Sequence, residues 1–348
     1  MTGLRNGLSL IFMAIAVGAL TAGPVSATDG VIEINQARAL AGGVTAGDTA
    51  GFPVLIDSAG SYRLTGNLVA PTDTTGIIVS AADVTLDLNG FSISGSGSGN
   101  GYGAEVTAAA NVELRNGTIR DSPDIGVNAG GCSGCRLIDM RLVDNDFIGA
   151  HMGDHSLIRG CTASGNTSVG FMAQTSSSII NNVAHDNGNV GIFLTGIGGG
   201  LIEGNVSYNN SDNGIAANST DLGGLGSIVV RNNSSYGNTK HGIQSHGGTV
   251  VGNTTSGNGF DGIHIARSAA QVQGNRSTGN GDDGIQSFGV SGVSVTDNVV
   301  TGNAYGLYLH SDTTIGGNTS TGNTTSDLFG GPGVRIACSN IGGVQTCP

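Results

Sequence analysis

The chain has 348 residues, 63 of them glycine, and a formal net charge of −12. Glycine at more than twice its usual share, without collagen's three-residue period or its proline, excludes a triple helix, and at about 1 kcal/mol per helix-interior position it argues against a helical enzyme. The acidic balance argues against nucleic acid as a partner, and the steady supply of Val, Ile and Leu argues against a disordered Gly/Ser chain, which leaves a β protein with many turns.

In chain order, residues 1–27 read as a secretory signal peptide. Arg5 supplies the positive charge, Leu8 to Leu20 is an apolar run too short for a comfortable bilayer span, and Val25-Ser26-Ala27 after Pro24 offers a small-residue cleavage site. The mature chain is therefore expected to be secreted, in the periplasm or outside the cell, with no membrane span after cleavage. Residues 28–75 are expected to form an N-terminal cap, with a short helical stretch over Asn35 to Ala41 and strands at Val54 to Ile56 and Tyr62 to Leu64.

From residue 76 to residue 326 one pattern recurs. A glycine followed by an apolar residue appears at Gly103, Gly126, Gly149, Gly170, Gly191, Gly214, Gly242, Gly262, Gly284 and Gly306, with a mean step of about 23 residues, inside the range of solenoid repeats. A second marker is a pair of asparagines five residues apart: Asn182 and Asn187, Asn205 and Asn210, Asn233 and Asn238, Asn253 and Asn258, Asn275 and Asn280, Asn298 and Asn303, Asn318 and Asn323. The arc from the glycine to the first asparagine varies, from 11 residues (Gly242 to Asn253) to 19 (Gly214 to Asn233), so each repeat has a constant corner and a variable one. The arc Ala217 to Ser227 is the candidate wall of a cleft.

Leucine-rich repeats, Ca²⁺-binding nonapeptides and left-handed hexapeptide helices each lack their signature here. Short strands with Gly/Asn corners fit a right-handed parallel β-helix of about eleven rungs, each stacked about 4.8 Å above the last. Identical residues then stack as columns: asparagine amides hydrogen-bond from rung to rung, glycines serve corners with positive φ, and Ile, Val and Leu fill the interior. Earlier rungs carry the marker more loosely, as Asn116 with Asp121 and Asn89 with Ser94. Residues 327–348 are expected to form a C-terminal cap with a last strand at Val334 to Ala337.

Export permits disulfides. Cys132 and Cys135 lie in a Gly/Ser turn without a βαβ setting and without two further ligands at zinc spacing, and they are expected to pair, as are Cys338 and Cys347. Cys161 stands five residues before Asn166, on an asparagine position, and is expected to be a buried thiol; Met140 stands likewise before Asn145.

The stretch Val84-Thr-Leu-Asp-Leu-Asn-Gly-Phe-Ser-Ile-Ser-Gly95, with the repeated Gly-Asn rungs after it, resembles the pectate-lyase-like right-handed parallel β-helix superfamily and its short parallel β-helix repeat. The resemblance covers residues 76–326. It implies the fold and a polysaccharide or surface glycan as partner; because the superfamily holds lyases, hydrolases, epimerases, tailspikes and adhesins, it selects no reaction.

Side chains alternate along a strand, so the residues two and four places after each glycine face outward. The reactive types gather on late rungs. Asp261, Asp283, His264, His241 and Lys240 are the catalytic candidates; Gln244, His246, Arg267, Gln286, Tyr308 and His310 are the binding candidates; and Asp261, Asp282 and Asp283 could hold Ca²⁺. Polygalacturonase-type hydrolases are similar at Asp261 and Asp282-Asp283-Gly284-Ile285, but no Gly-His-Gly or Arg-Ile-Lys follows, and the Asp-Pro-His of uronate epimerases is absent. Aspartate before glycine is also an ordinary turn residue. Two functions therefore stay open: a secreted glycan-binding β-helix, and a polysaccharide lyase, less readily a hydrolase, acting on an acidic polymer through the late-rung face.

Overall fold

A computed structural model describes residues 30–107, 109–196, 198–219, 228–267, 269–287, 289–310, 312–331 and 334–336. The signal segment, the Cys338–Cys347 pair and most of the arc 217–227 lie outside the described residues. Within them the chain is a parallel β-solenoid with one helix, Gln36–Ala41, whose first turn is capped by the Asn35 side chain accepting the Arg38 N–H at 3.0 Å.

Each full coil lays down three short strands, and every strand pairs in parallel with its counterparts in the coils before and after. The strand that follows the repeat glycine joins a narrow sheet of 13 strands in single file. Eleven of these lie between Ile77–Val79 and Tyr305–Leu309; Val54–Ile56 adds one before them and Ser326–Gly330 one after. The other two strands of each coil stack side by side into a broad sheet of 24.

The interior is a set of apolar columns. Val127, Ala150, Phe171, Ile192, Ile215, Ile243, Ile263 and Ile285 stack in register and are fully buried. Each Val, Ile or Phe member stabilises the coil by about 1.5–3 kcal/mol relative to exposure, Ala150 by less, and the repeat multiplies one local solution.

The asparagines form two buried ladders. In the first, each Nδ2 from Asn182 to Asn298 donates to Oδ1 of the next asparagine at 2.9–3.0 Å, and the backbone N–H of the same residue donates to the same oxygen. Nδ2 also donates to a carbonyl of the preceding coil, as Asn205 does to Ile179 at 2.8 Å. One carboxamide thereby satisfies two backbone groups, an N–H and a carbonyl, that the bend removes from the sheet. Cys161 stands at the foot of this ladder, fully buried and unpaired: its N–H donates to Asn182 Oδ1 at 2.8 Å, and Sγ accepts the Met140 N–H at 3.4 Å. Burial pushes its thiol up to about 12, which makes it inert. Cys132 and Cys135 are joined as a disulfide.

The structure corrects two details. Asn116 and Asp121 do not sit on the ladder positions. They take left-handed conformations (φ 57° and 53°), while the next residues align with the ladder: Gly117 opposite Met140, and Ser122 donating its N–H to Asn145 Oδ1. The glycines also divide into two kinds. Those just before an asparagine, such as Gly257 at φ 59°, supply the left-handed turn. The repeat glycines have ordinary φ and are required by crowding: a Cβ on Gly170 would lie 2.6 Å from the Gly191 carbonyl oxygen and 2.9 Å from Asn187 Nδ2. Gly170→Ala is expected to cost about 2–3 kcal/mol, whereas Gly257→Asn, with open space around its Cβ and a side chain that tolerates positive φ, should stay within about 0.5 kcal/mol; paired urea melts check the contrast.

Candidate functional site

The outer surface of the narrow sheet carries two parallel files. One holds the residue two places after each glycine, in register from coil to coil: Asn128, His151, Met172, Phe193, Ala216, Gln244, His264, Gln286 and Tyr308. The other holds the residue just before each glycine. On early coils the file before the glycines is apolar: Ile125, Ile148 and Val169 form a small cluster with Tyr102, Val190 and, from the other file, Met172 and Phe193, while Asn128 and His151 stand beside it. On late coils it turns polar.

The polar part is a third ladder, built from unlike side chains. Asn213 Oδ1 accepts the His241 N–H at 3.1 Å, and Asn213 Nδ2 donates to Gln244 Oε1 at 2.9 Å. One coil on, the Asp261 N–H points at His241 Nδ1 at 3.3 Å. One further, Asp261 Oδ1 accepts the Asp283 N–H at 3.0 Å. The turn role expected of an aspartate before glycine is thus met by one oxygen of Asp261. The other, Oδ2, is 3.1 Å from His241 Nδ1 and 3.0 Å from His264 Nδ1. The two imidazoles stack with centroids 4.5 Å apart, and Phe260 packs edge-on to His241. Asp261 is buried beneath them.

Asp283 follows in the same file and is also buried, at 2% exposure. Its Oδ2 accepts Gln286 Nε2 at 2.8 Å; its Oδ1 is buried with no hydrogen-bond partner. Burial first, then the Asp261 charge, pushes this carboxyl up to about 7. For Asp261 burial also raises the pKa, but the hydrogen bonds of His241 and His264, the His241 charge and the Asp283 amide outweigh it and leave the group below the ordinary range. Asp282 is raised by burial and by Asp261. Two adjacent carboxyls are thereby separated into an ionised one held by histidines and one that keeps its proton to near neutrality, the division needed for acid–base work.

Of the residues singled out from the sequence, His241, Asp261, His264, Asp282 and Asp283 come together, with Gln244 and Gln286 beside them. Lys240 does not join: its Nζ binds Asp212 Oδ2 at 2.6 Å. His246, Arg267 and His310 follow the C-terminal ends of their strands, toward the opposite edge of the sheet. Tyr308 belongs to an aromatic group, stacked on Phe329 at 4.7 Å and edge-on to Tyr305. Phe329 escapes a sequence reading because Asp327 replaces the glycine of its coil. A second stack, His185, Tyr208 and Tyr236, lies on the broad sheet with near-parallel rings 4.8 and 5.0 Å apart. Its signal is present in the sequence: each member stands two residues before the second asparagine of its coil.

Two groups have ligand atoms within 4.8 Å of one another: His241, Asp261 and His264, and Asp261, Asp282 and Asp283. Among the described residues no helix is long and apolar enough to cross a membrane.

A family model described as right handed beta helix region matches residues 52–196, 126–271 and 171–325. Among solved structures, a variant of the periplasmic alginate epimerase AlgG aligns with TM-score 0.59 at 15% identity, over 82% of this chain and 77% of that one. The A-module of the Azotobacter vinelandii mannuronan C-5 epimerase AlgE4 aligns with TM-score 0.50 at 17% identity, over 82% of this chain and 90% of that one. No curated protein sequence matches the chain.

Proposed function

We propose that this chain, which belongs to the right-handed β-helix family, is a secreted protein that binds an acidic polysaccharide along the outer face of its narrow sheet. The observation that carries this reading is the pair of outward files, which presents one side chain per coil to a linear polymer: an apolar stretch, then Gln244, His264 and Gln286, then the Tyr305–Tyr308–Phe329 group. Amides and imidazoles suit hydroxyl and carboxylate groups, and the aromatic group offers an apolar body with polar tips. Alginate and mannuronan, named for the two structurally similar epimerases, support an acidic polymer. For a chain of net charge −12, such a ligand requires local positive charge, which imidazolium or a bound cation would supply.

A second reading is favoured by the Asp261–His264–Asp283 arrangement. A base and a proton-holding carboxyl set side by side suit removal of the proton next to a uronate carboxylate, the step that begins both elimination and C5 inversion.

Both readings are tested with polymannuronate, polyguluronate and polygalacturonate, with a neutral glucan as control. Retention on the acidic polymers alone is expected, with His264→Ala or Tyr308→Ala weakening it by about tenfold or more. Equal retention on the neutral glucan would sink the binding proposal. In heavy water, deuterium entering C5 without new unsaturated-uronate absorbance would mean inversion, and absorbance would mean elimination. Binding with neither signal would leave a glycan-binding protein and discard the second reading.

A further inference from the structure

We propose that His241, Asp261 and His264, with Asp283 in reach of Asp261 from the next coil, form a binding site for one divalent transition-metal ion of the zinc class. This goes beyond the glycan-binding reading and stands independently of it.

The donor set is compact and mixed. Both histidine Nδ1 atoms approach a single oxygen, Asp261 Oδ2, at 3.1 and 3.0 Å. An ion with ligands at about 2.0–2.1 Å in a tetrahedron places its donors about 3.3 Å apart, so each imidazole need move from Asp261 Oδ2 by only a few tenths of an ångström, and all three donor atoms already lie within 4.8 Å of one another.

His241 is frustrated as it stands. Its Nδ1 faces the Asp261 N–H at 3.3 Å and Asp261 Oδ2 at 3.1 Å. With a proton on Nδ1, two donors oppose each other; without one, two acceptors do. A cation between Nδ1 and Oδ2 resolves the second arrangement, the ring proton moving to Nε2.

An independent observation points the same way. Asp283 is 2% exposed, and its Oδ1 is buried without a hydrogen-bond partner. An unpaired buried carboxylate oxygen is costly; Asp283 groups within 4.8 Å of Asp261 and Asp282 and not with the histidines, so it reaches the ion as a fourth ligand by turning its side chain toward Asp261. Asp261, Asp282 and Asp283 crowd three carboxylates within 4.8 Å, and among the described residues no lysine or arginine is ion-paired with any of them.

The class of ion follows from the ligands. Calcium takes six to eight oxygens and gains little from imidazole, whereas two imidazoles with carboxylate oxygens suit zinc, cobalt and their neighbours. The Ca²⁺ expected from the aspartates alone is therefore the less suitable ion, because the histidines hold the central carboxylate.

The test uses the full chain, stripped with chelator and titrated with Co²⁺. One equivalent should bind, with visible d–d bands, and should be displaced by Zn²⁺ but not by a large excess of Ca²⁺. His264→Gln should weaken binding by about a hundredfold and Asp283→Asn by about tenfold. Asp261→Asn is a poorer probe, because Asp261 Oδ1 also holds the Asp283 amide; far-ultraviolet circular dichroism confirms that the other two variants are folded. Absence of cobalt binding, displacement by Ca²⁺, or equal affinity in the folded His264→Gln and Asp283→Asn chains would overturn the proposal.

Discussion

Asn238→Leu is expected to lower stability by about 3–5 kcal/mol, more than the loss of most single apolar core groups. Asn238 Oδ1 accepts both the backbone N–H and the side-chain amide of Asn210, at 3.0 and 2.9 Å. Its Nδ2 donates to Asn258 Oδ1, the Ser207 carbonyl and Ser235 Oγ. Leucine is similar in volume and removes all of these at once, depriving the Asn210 N–H and the Ser207 carbonyl of the preceding coil, and the Asn258 amide oxygen of the next, of a buried partner. Because the defect touches both neighbours, the penalty should exceed that of any one bond. The exposed Asn100→Ala is the control and should shift the urea midpoint little. If the two substitutions cost the same, the ladder is decoration on a fold held by its apolar columns.

The second large effect is a dependence of stability on pH. The folded pKa of Asp283, about 7, lies above its unfolded value near 3.8, so between these limits the folded state binds more protons than the unfolded one. Stability must then fall as pH rises from about 4 to about 7, by up to about 4 kcal/mol from this group. Asp261 works in the opposite sense and lower down: its depressed pKa contributes stability that is lost only as pH drops below the ordinary aspartate range. In chelator, so that no ion intervenes, the wild type should melt at a higher temperature at pH 5 than at pH 8. Asp283→Asn, neutral throughout and still able to accept from Gln286, should flatten that difference. A wild-type melting temperature that rises from pH 5 to pH 8 and is unaffected by Asp283→Asn would show that the carboxyl ionises normally.

Much of this architecture was legible because a stacked coil repeats its constraints. Two asparagines at a spacing of five can serve two bends of one coil only if both point inward, and the structure shows them doing so. The outward file from Asn128 to Tyr308 follows from alternation alone, and its members pair in that register. The inward turn of Cys161 was readable for the same reason. What escaped depended on atoms rather than period. Lys240 and His241 are neighbours in sequence, yet Lys240 binds Asp212 while His241 turns to Asp261. The repeat glycines looked like turn residues and are instead required by the approach of a carbonyl and an amide from the next coil. Asp261 looked like either a corner or a catalytic group; one of its oxygens takes a backbone amide, as a corner does, and the other faces two imidazoles. Composition could not separate those roles, because aspartate before glycine satisfies each.

The second asparagine ladder has a direction. From Asn145 to Asn323 nine carboxamides are joined head to tail, every Nδ2 donating toward the C-terminal end of the solenoid. Aligned amide dipoles sum, as they do along a helix, so this column carries partial positive charge at its last member and partial negative charge at its first. The last member is met by a carboxylate: Asn323 donates its backbone N–H and its Nδ2 to Asp327 Oδ1, at 3.2 and 2.8 Å. Asp327 is thus the electrical counterpart of a helix N-cap. The C-terminal end of the coil is closed by matched charge, and a chain ended one or more coils earlier would present a pair of bare amide donors, an anion-seeking terminus that the native molecule keeps neutralised.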